Sequence, residues 1–476
     1  MLPTPALHAP GRQLVSLRSF AAAPPLPRRL PRCQAAGEQL VDAAPAPALE
    51  QLADARVLRW EAPPAALSAS GAPPPEEWPD HPALLAGCEP GAAPLRVAVL
   101  LSGGVDSSLA LRLVAAAGHA PVAFYLQIWF EEDFRNSWDA CPWEEDLAFC
   151  RAVCAAAGVP LRVVPLTREY WDRVVAHSLA EIRAGRTPNP DVLCNSRVKF
   201  GAFFEHLTEL ERKGGEPFDR VASGHYARLE RAPPGGPPPR LALTPDAVKD
   251  QTYFLAHLAP PQLARLLFPL GALTKAQVRA LAAAAALPTA ARADSQGICF
   301  LGRVRFDEFV RAHLGEWPGP LLEEESGAVV GYHRGFWFHT VGQRRGIRLA
   351  GGPWYVTRKD PDANAVYVSR RYAERAAGDA ARAGFRCSAF SWTGDLRPAP
   401  GAPLRVKVRH GPLAYAARLE LDAGGGGGAA VRLDGADQGL AAGQYAVFYQ
   451  GGYCLGCAVI DGPLEEEAHA VEAVEP

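Results

Sequence analysis

A chain of 476 residues that is 48% hydrophobic and 21% charged has room for two or three domains, each with its own core. Its formal net charge of −2 excludes a protein coated in basic residues, so any nucleic-acid surface has to be a local patch. Without an apolar run of roughly 20 residues, no membrane-spanning helix is expected, and no membrane partner.

Residues 1–37 hold no Asp or Glu but carry Arg12, Arg18, Arg28, Arg29 and Arg32 among Ala, Pro and Ser. That composition reads as an organelle transit peptide, for a chloroplast ahead of a mitochondrion. Residues 38–94 read as a disordered Ala/Pro-rich linker with one weak helix near 49–60. Order is expected from Leu95, where 95–101 is an apolar run suited to a strand buried on both faces. Helix 107–117, strand 121–127, helix 143–157, strand 161–166, helix 168–184 and strand 219–222 follow in alternation. Such alternation predicts an α/β domain, a parallel sheet with helices on both faces, over 95–304. Further helices are predicted over 260–267 and 275–286, and the Pro-rich 233–239 reads as a hairpin loop. From there short β-like runs and glycine turns predict a small β-rich central domain over 305–370. A C-terminal β-barrel is predicted over 371–462, with strands at 404–408, 416–421, 431–433 and 445–449, a flexible loop at 424–428 and an acidic tail over 463–476.

Directly after the first strand comes Ser102-Gly103-Gly104-Val105-Asp106-Ser107-Ser108, then a helix. Two glycines let main-chain N–H groups approach phosphate oxygens, and the helix N-terminus favours an anion. Ser107 and Ser108 are expected to add hydroxyl donors, and Asp106 to act through Mg²⁺ or to orient the loop. There is neither a Gly-Lys-Ser/Thr nor a Gly-x-Gly-x-x-Gly pattern. The loop resembles the PP-loop of the N-type ATP pyrophosphatases, which implies ATP cleaved to AMP and diphosphate.

Ten cysteines spread over the whole chain suit free thiols better than a disulfide framework. Cys194 ends Arg186-Thr187-Pro188-Asn189-Pro190-Asp191-Val192-Leu193-Cys194, a loop pinned by two prolines. Arg197, Lys199 and a nearby helix start favour its thiolate. Cys299 lies in Asp294-Ser295-Gln296-Gly297-Ile298-Cys299-Phe300. Two such thiols beside a PP-loop suit sulfur chemistry, one carrying a persulfide and the other resolving it. Cys454-Leu455-Gly456-Cys457 has CxxC spacing but neither a second pair nor a His partner, so no metal site is expected there.

With these residues the chain resembles the tRNA-specific 2-thiouridylase family from about residue 96 to 460. Ser223-Gly224-His225-Tyr226, the run 249–254, Phe268-Pro269-Leu270-Gly271, 339–346 and 353–356 carry the likeness. The 131–145 insertion resembles plant and cyanobacterial members. The resemblance implies adenine nucleotide α-hydrolase-like architecture and ATP-dependent 2-thiolation of the wobble uridine, position 34, in tRNA. It implies that Leu100 and Leu101, the loop residues to Ser108, Leu126 and Gly224 bind ATP, accompanied by Mg²⁺. Cys194 would be the nucleophile, Cys299 the persulfide carrier and Asp191 a general acid or base. Asn189, Pro190, Asp191, His225, Lys249, Asp250, Gln251, Arg409, His410 and Gln444 would contact tRNA. The implied partners are the anticodon loops of Lys, Glu and Gln acceptors and a persulfide donor such as a cysteine desulfurase or sulfur relay protein.

Two basic groups, Arg344/Arg345/Arg348 and Arg405/Lys407/Arg409, are expected to meet the RNA backbone, the second from one face of a strand. Two other readings stay open. One is a PP-loop synthetase or amidotransferase acting on a small molecule, with no need of Cys194 or Cys299. The other is an RNA-binding protein whose nucleotide site is dead.

Overall fold

The computed structural model describes residues 57–58, 65, 67, 72–91, 93–128, 142–233, 235–294, 306–372, 380–398, 402–411, 413–422 and 427–464. Cys299, Cys141, the transit-peptide segment, the acidic tail and most of the 131–145 insertion lie outside them.

The stretch before Leu95 is not the bare linker its Ala/Pro content predicts. β1 (Val57–Leu58) lies antiparallel against residues 414–415, where a helix was expected. The turn Pro75–Asp80 then buries Trp78 to 1% exposure, with its indole N–H on the Pro73 carbonyl at 3.0 Å. Leu84, Leu85 and Cys88 join it against the first helix and strand of the sheet. Four apolar side chains in a stretch otherwise poor in them are enough to dock it.

β2 (Arg96–Leu100), β3 (Ala120–Gln127), β4 (Leu161–Pro165) and β5 (Arg220–Ala222) run parallel. The hairpin of β6 (Arg228–Glu230) and β7 (Arg240–Ala242) follows, its loop at the Pro-rich segment. The helix expected over 260–267 stops at Ala264, and Leu266–Leu267 form β8 beside β5 instead. Both leucines are buried, so pairing at the sheet edge overrides their helical propensity. The sheet order is β4-β3-β2-β5-β8. Its connections reverse direction at β2, which places a crevice beyond the carboxyl ends of β2 and β5, the usual ligand position in such sheets.

α1 (Val105–Ala116), α2 (Pro142–Ala157) and α3 (Lys275–Ala284) share one core with Val97, Val99 and Ala123 of the sheet. The other face is covered by helical runs 167–183 and 190–212, each interrupted by π-type turns at Trp171–Val175 and Cys194–Ala202.

β9 (Gly319–Glu323), β10 (Val329–His333), β11 (Tyr355–Asp360) and β12 (Ala365–Ser369) make a separate four-stranded sheet, the small central domain. β13 (Gly384–Trp392), β14 (Leu404–Lys407), β15 (Ala414–Leu421), β16 (Ala429–Leu433), β17 (Tyr445–Gln450) and β18 (Tyr453–Pro463) form the C-terminal β-barrel. It closes because β13 pairs with both β16 and β18. The β6–β7 hairpin of the first domain adds to β18 through Tyr453 opposite Ala242, which ties barrel to α/β domain.

Candidate functional site

The loop after β2 enters the crevice at the N-terminus of α1. Gly103 takes φ +75°, and a Cβ there would sit 2.6 Å from the Asp146 carbonyl, so only glycine fits. A Cβ on Gly104 would make only an ordinary contact, 3.6 Å from Ser102 Oγ. The first N–H groups of the 12-residue α1 have no intrahelical acceptor and carry the positive end of its dipole. Together these make an anion cradle of main-chain donors.

The serine hydroxyls do not add to it. Ser108 Oγ donates to the Gly104 carbonyl at 2.9 Å and Ser107 Oγ to the same oxygen at 3.1 Å. Ser107 also accepts from the Ser102 N–H at 3.1 Å. Both are buried and shape the loop, while Ser102 is exposed at its rim. Leu100, Leu101 and Val105 have buried side chains, which leaves main chain to face a ligand. Leu126 lies near the end of β3, half-buried and beyond the Leu100–Phe124 pairing. Gly224 follows β5, and a Cβ on it would lie 2.7 Å from the Ser107 nitrogen. Its role is to let the second loop press against the first.

Asp106 takes the orienting alternative. Its carboxylate accepts from Tyr226 Oη at 2.7 Å and from Lys275 Nζ at 2.7 and 2.9 Å. Lys275 also pairs with Asp294 at 2.9 Å, which Lys249 reaches at 2.7 Å and Arg279 contacts as well. Burial would raise the Asp294 carboxyl, but hydrogen bonds and charge from Lys249 and Lys275 hold it well below the usual carboxylate range. Lys249, Lys275 and Arg279 thus meet Asp106 and Asp294, and Asp246 accepts from the Lys275 main-chain N–H at 2.9 Å beside them. On the loop's other side, Arg292 donates to the Gly103 carbonyl at 2.8 Å and pairs with Asp146 at 2.5 Å.

The residues expected to meet tRNA divide into two groups. Asn189 caps the 190–212 run, its Oδ1 accepting from the Val192 N–H at 3.3 Å. Pro190 is buried at the first helical position. Asp191 and Cys194 follow within the first turns, and Cys194 is only 1% exposed. His410 from the barrel stacks on Phe254, ring centroids 4.5 Å apart, and feels the charges of Lys407, Asp250 and Asp191. Gln444 reaches the main chain of Thr187 and Pro188 at 2.9 and 3.3 Å. Asn189, Pro190, Asp191, His410 and Gln444 therefore converge where the α/β domain meets the barrel.

The remaining residues are held by partners within the protein, and burial corrects the expectation for Asp250 and Lys407. Asp250 is 2% exposed and accepts from the N–H groups of Thr244 and Thr252, so it cannot face RNA. Gln251 is engaged with the Tyr226 N–H at 2.9 Å and Lys249 with Asp294. His225 packs between Phe200 and Phe268 and bonds Ser223 at 2.8 Å; burial, with the charge of Lys199, pushes its ring down to about 3, so it is neutral. Arg409 pairs with the buried Asp437 and with the Gly439 carbonyl at 3.0 Å. Lys407 is 1% exposed and faces Tyr449 and Asp250 inside the barrel, so Arg405, Lys407 and Arg409 do not form one solvent face. Arg344, Arg345 and Arg348 are exposed. Cys454 and Cys457 are buried on β18, where burial raises both thiols well above their usual value. Among the described residues no cluster of His, Cys, Asp or Glu could hold a metal.

Three family models tile the chain: "tRNA methyl transferase HUP domain" over 95–303, "tRNA methyl transferase PRC-barrel domain" over 307–370 and "Aminomethyltransferase beta-barrel domain" over 382–460. The tRNA-specific 2-thiouridylase MnmA 2 of Bacteroides fragilis is 42% identical over 360 residues, 74% of this chain and 96% of that protein. The tRNA-specific 2-thiouridylase MnmA of Porphyromonas gingivalis is 39% identical over 382 residues, 76% and 98% of the two chains. This chain belongs to the tRNA-specific 2-thiouridylase family. Among solved structures, the U34-tRNA thiolase NcsA from Methanococcus maripaludis overlaps 49% of this chain and 70% of its own, at 17% identity and a TM-score of 0.29.

In this 2-thiouridylase, Lys275, Arg279 and Arg292 are the functional-site residues that motif reading passed over. Lys275 carried a usable signal. It opens α3 directly after the N-cap Thr274, inside the Thr274–Gln277 capping box, where a cation opposes the helix dipole. A lysine in so unfavourable a position has a partner elsewhere, here Asp106 and Asp294.

Proposed function

We propose that this enzyme uses ATP to replace O2 of the wobble uridine of tRNA with sulfur. Membership of the 2-thiouridylase family carries the reading, and the anion cradle at the start of α1 supports the use of ATP. Uridine O2 attacks the α-phosphorus of ATP, the bond to the β-phosphate breaks, and diphosphate leaves. Diphosphate lies against main-chain N–H groups at the start of α1, with Lys275 holding the loop through Asp106. Mg²⁺ accompanying the nucleotide would neutralise phosphate charge, and Asp106, already engaged by Tyr226 and Lys275, would not be among its ligands.

Cys299 carries the sulfur as a persulfide whose outer atom attacks C2. AMP leaves, and the Cys194 thiolate attacks the inner sulfur, freeing the outer one onto the base. Both cysteines end as a disulfide that an external thiol reductant reopens. Asp191 moves the proton at the uracil ring. The base has to leave the stack, and an anticodon loop supplies it unpaired. The acceptors proposed are those for Lys, Glu and Gln, and a cysteine desulfurase or sulfur relay protein is the donor. Residues 1–37 are proposed as a transit peptide, plastid rather than mitochondrial, on their arginine content and lack of acids.

The test is thiolation of unmodified tRNA with ATP and a persulfide source, read by mass spectrometry of the digested RNA. Wild type forms 2-thiouridine, while Cys194→Ser and Cys299→Ser form none. Undiminished product from both variants refutes the two-cysteine route.

A further inference from the structure

The loop at Ser102–Ser108 is gripped near both ends, and the two grips differ in kind. At the helix end, Tyr226 and Lys275 hold the Asp106 carboxylate. At the strand end the hold is on main chain, where Arg292 Nη1 donates to the Gly103 carbonyl at 2.8 Å. The same guanidinium gives its other nitrogen to Asp146 Oδ1 at 2.5 Å, and its Cζ lies over the Phe149 ring, 4.6 Å from the centroid. Asp146 and Phe149 both stand on α2, so Arg292 bridges that helix to the loop. Its charge is offset by Asp146, which leaves little for a phosphate.

Arg292 is itself held in place. Its N–H donates to the Thr289 carbonyl at 3.0 Å. Arg279 Nη1 donates to the Ala290 carbonyl at 3.0 Å and to the Arg292 carbonyl at 2.5 Å. The loop comes this close because Gly103 lacks a side chain; a Cβ there would lie 2.9 Å from Arg292 Nη1. Across a trans peptide, the Gly103 carbonyl and the Gly104 N–H point in opposite directions. Fixing the carbonyl on Arg292 therefore fixes the aim of the N–H.

We propose that Arg292 is a positioning residue for ATP: through the Gly103 carbonyl it turns the Gly104 N–H towards the diphosphate portion of the nucleotide. It acts through the main chain of the loop and not as a cation on phosphate. This role rests on the ATP-cleaving reading of the loop for which ligand is held. One well-aimed hydrogen bond to a charged group is worth roughly 10- to 100-fold in binding, which sets the scale of the effect.

The test uses the full chain, with inorganic diphosphate, ATP and adenosine as probes and binding measured by calorimetry. Arg292→Gln should weaken diphosphate and ATP roughly 10- to 100-fold and leave adenosine within about twofold. A general loosening of the domain would weaken all three alike and overturn the proposal. Arg292→Lys, which keeps a donor for the carbonyl, should recover part of the loss. Asp146→Ala separates positioning from direct charge contact, because it unpins the guanidinium while leaving its charge. Diphosphate and ATP should weaken again in this variant, by about threefold or more. Unchanged or tighter diphosphate binding in Asp146→Ala would make Arg292 a cation for phosphate and overturn the proposal. Thiolation absent from the wild type, with these binding shifts intact, would count against the thiolation reading alone, because diphosphate reads the loop directly.

Discussion

Asp294 takes a lysine on each oxygen, Lys275 and Lys249, and an arginine besides. With its folded pKa depressed below the unfolded value of about 3.9, its stabilisation is fully present above that pH. It is lost as the pH falls through the folded value. Urea midpoints measured from pH 7 down to 2 should show Asp294→Asn less stable than wild type at neutrality, with the gap closing only below about pH 4. A gap constant over the whole range would remove the ionic explanation. At this scale the sequence disclosed the glycine loop and the Asn189 turn, because each belongs to an ordered local pattern. It hid the ion network, since Asp106, Lys275 and Asp294 meet only through the fold. It also misled at Asp250, whose carboxylate turns inward onto Thr244 and Thr252, and at Lys407, buried against Tyr449, so that charge was read as exposure.

Elements position the site through contacts too close for a side chain. The loop after β5 touches the start of α1 at Gly224, where a Cβ would lie 2.7 Å from the Ser107 nitrogen and 2.8 Å from the Asp106 carbonyl carbon. Gly224→Ala should push the two loops apart and raise the KM for ATP about tenfold or more, leaving tRNA affinity unchanged by filter binding. An unaltered KM would show the loops free to move apart at no cost. Alternation of strand and helix made the parallel sheet legible, because apolar runs and glycine stops coincide at each boundary. β13 and β18 were passed over, since their runs mix Gly, Cys and Ser with apolar residues and lack a clear period of two. The π-type turn at Cys194–Ala202 leaves no mark in composition, and only a helix start near Cys194 was legible there.

Three folded units share the work, and the seams between them are structural parts of the enzyme. The hairpin β6–β7 extends the barrel sheet from within the α/β domain, while β1 extends it from near the N-terminus. Segment 72–91 docks through Trp78, so Trp78→Ala should cost about 3–5 kcal/mol, measured as a lowered urea midpoint with an unchanged slope. A change under about 0.5 kcal/mol would mean the segment is a passive tether after all. Its role was illegible because Ala and Pro dominate it and the apolar anchors are few.

The central claim is that the loop at Ser102–Ser108 cleaves ATP between its α and β phosphates to drive sulfur into tRNA. The most direct measurement compares 2-thiouridine formed by the wild-type chain with ATP, with a β,γ-methylene analogue and with an α,β-methylene analogue. The account predicts thiolated uridine from the first two and none from the third. Thiolation supported by the α,β-methylene analogue, or proceeding without any nucleotide, would contradict it.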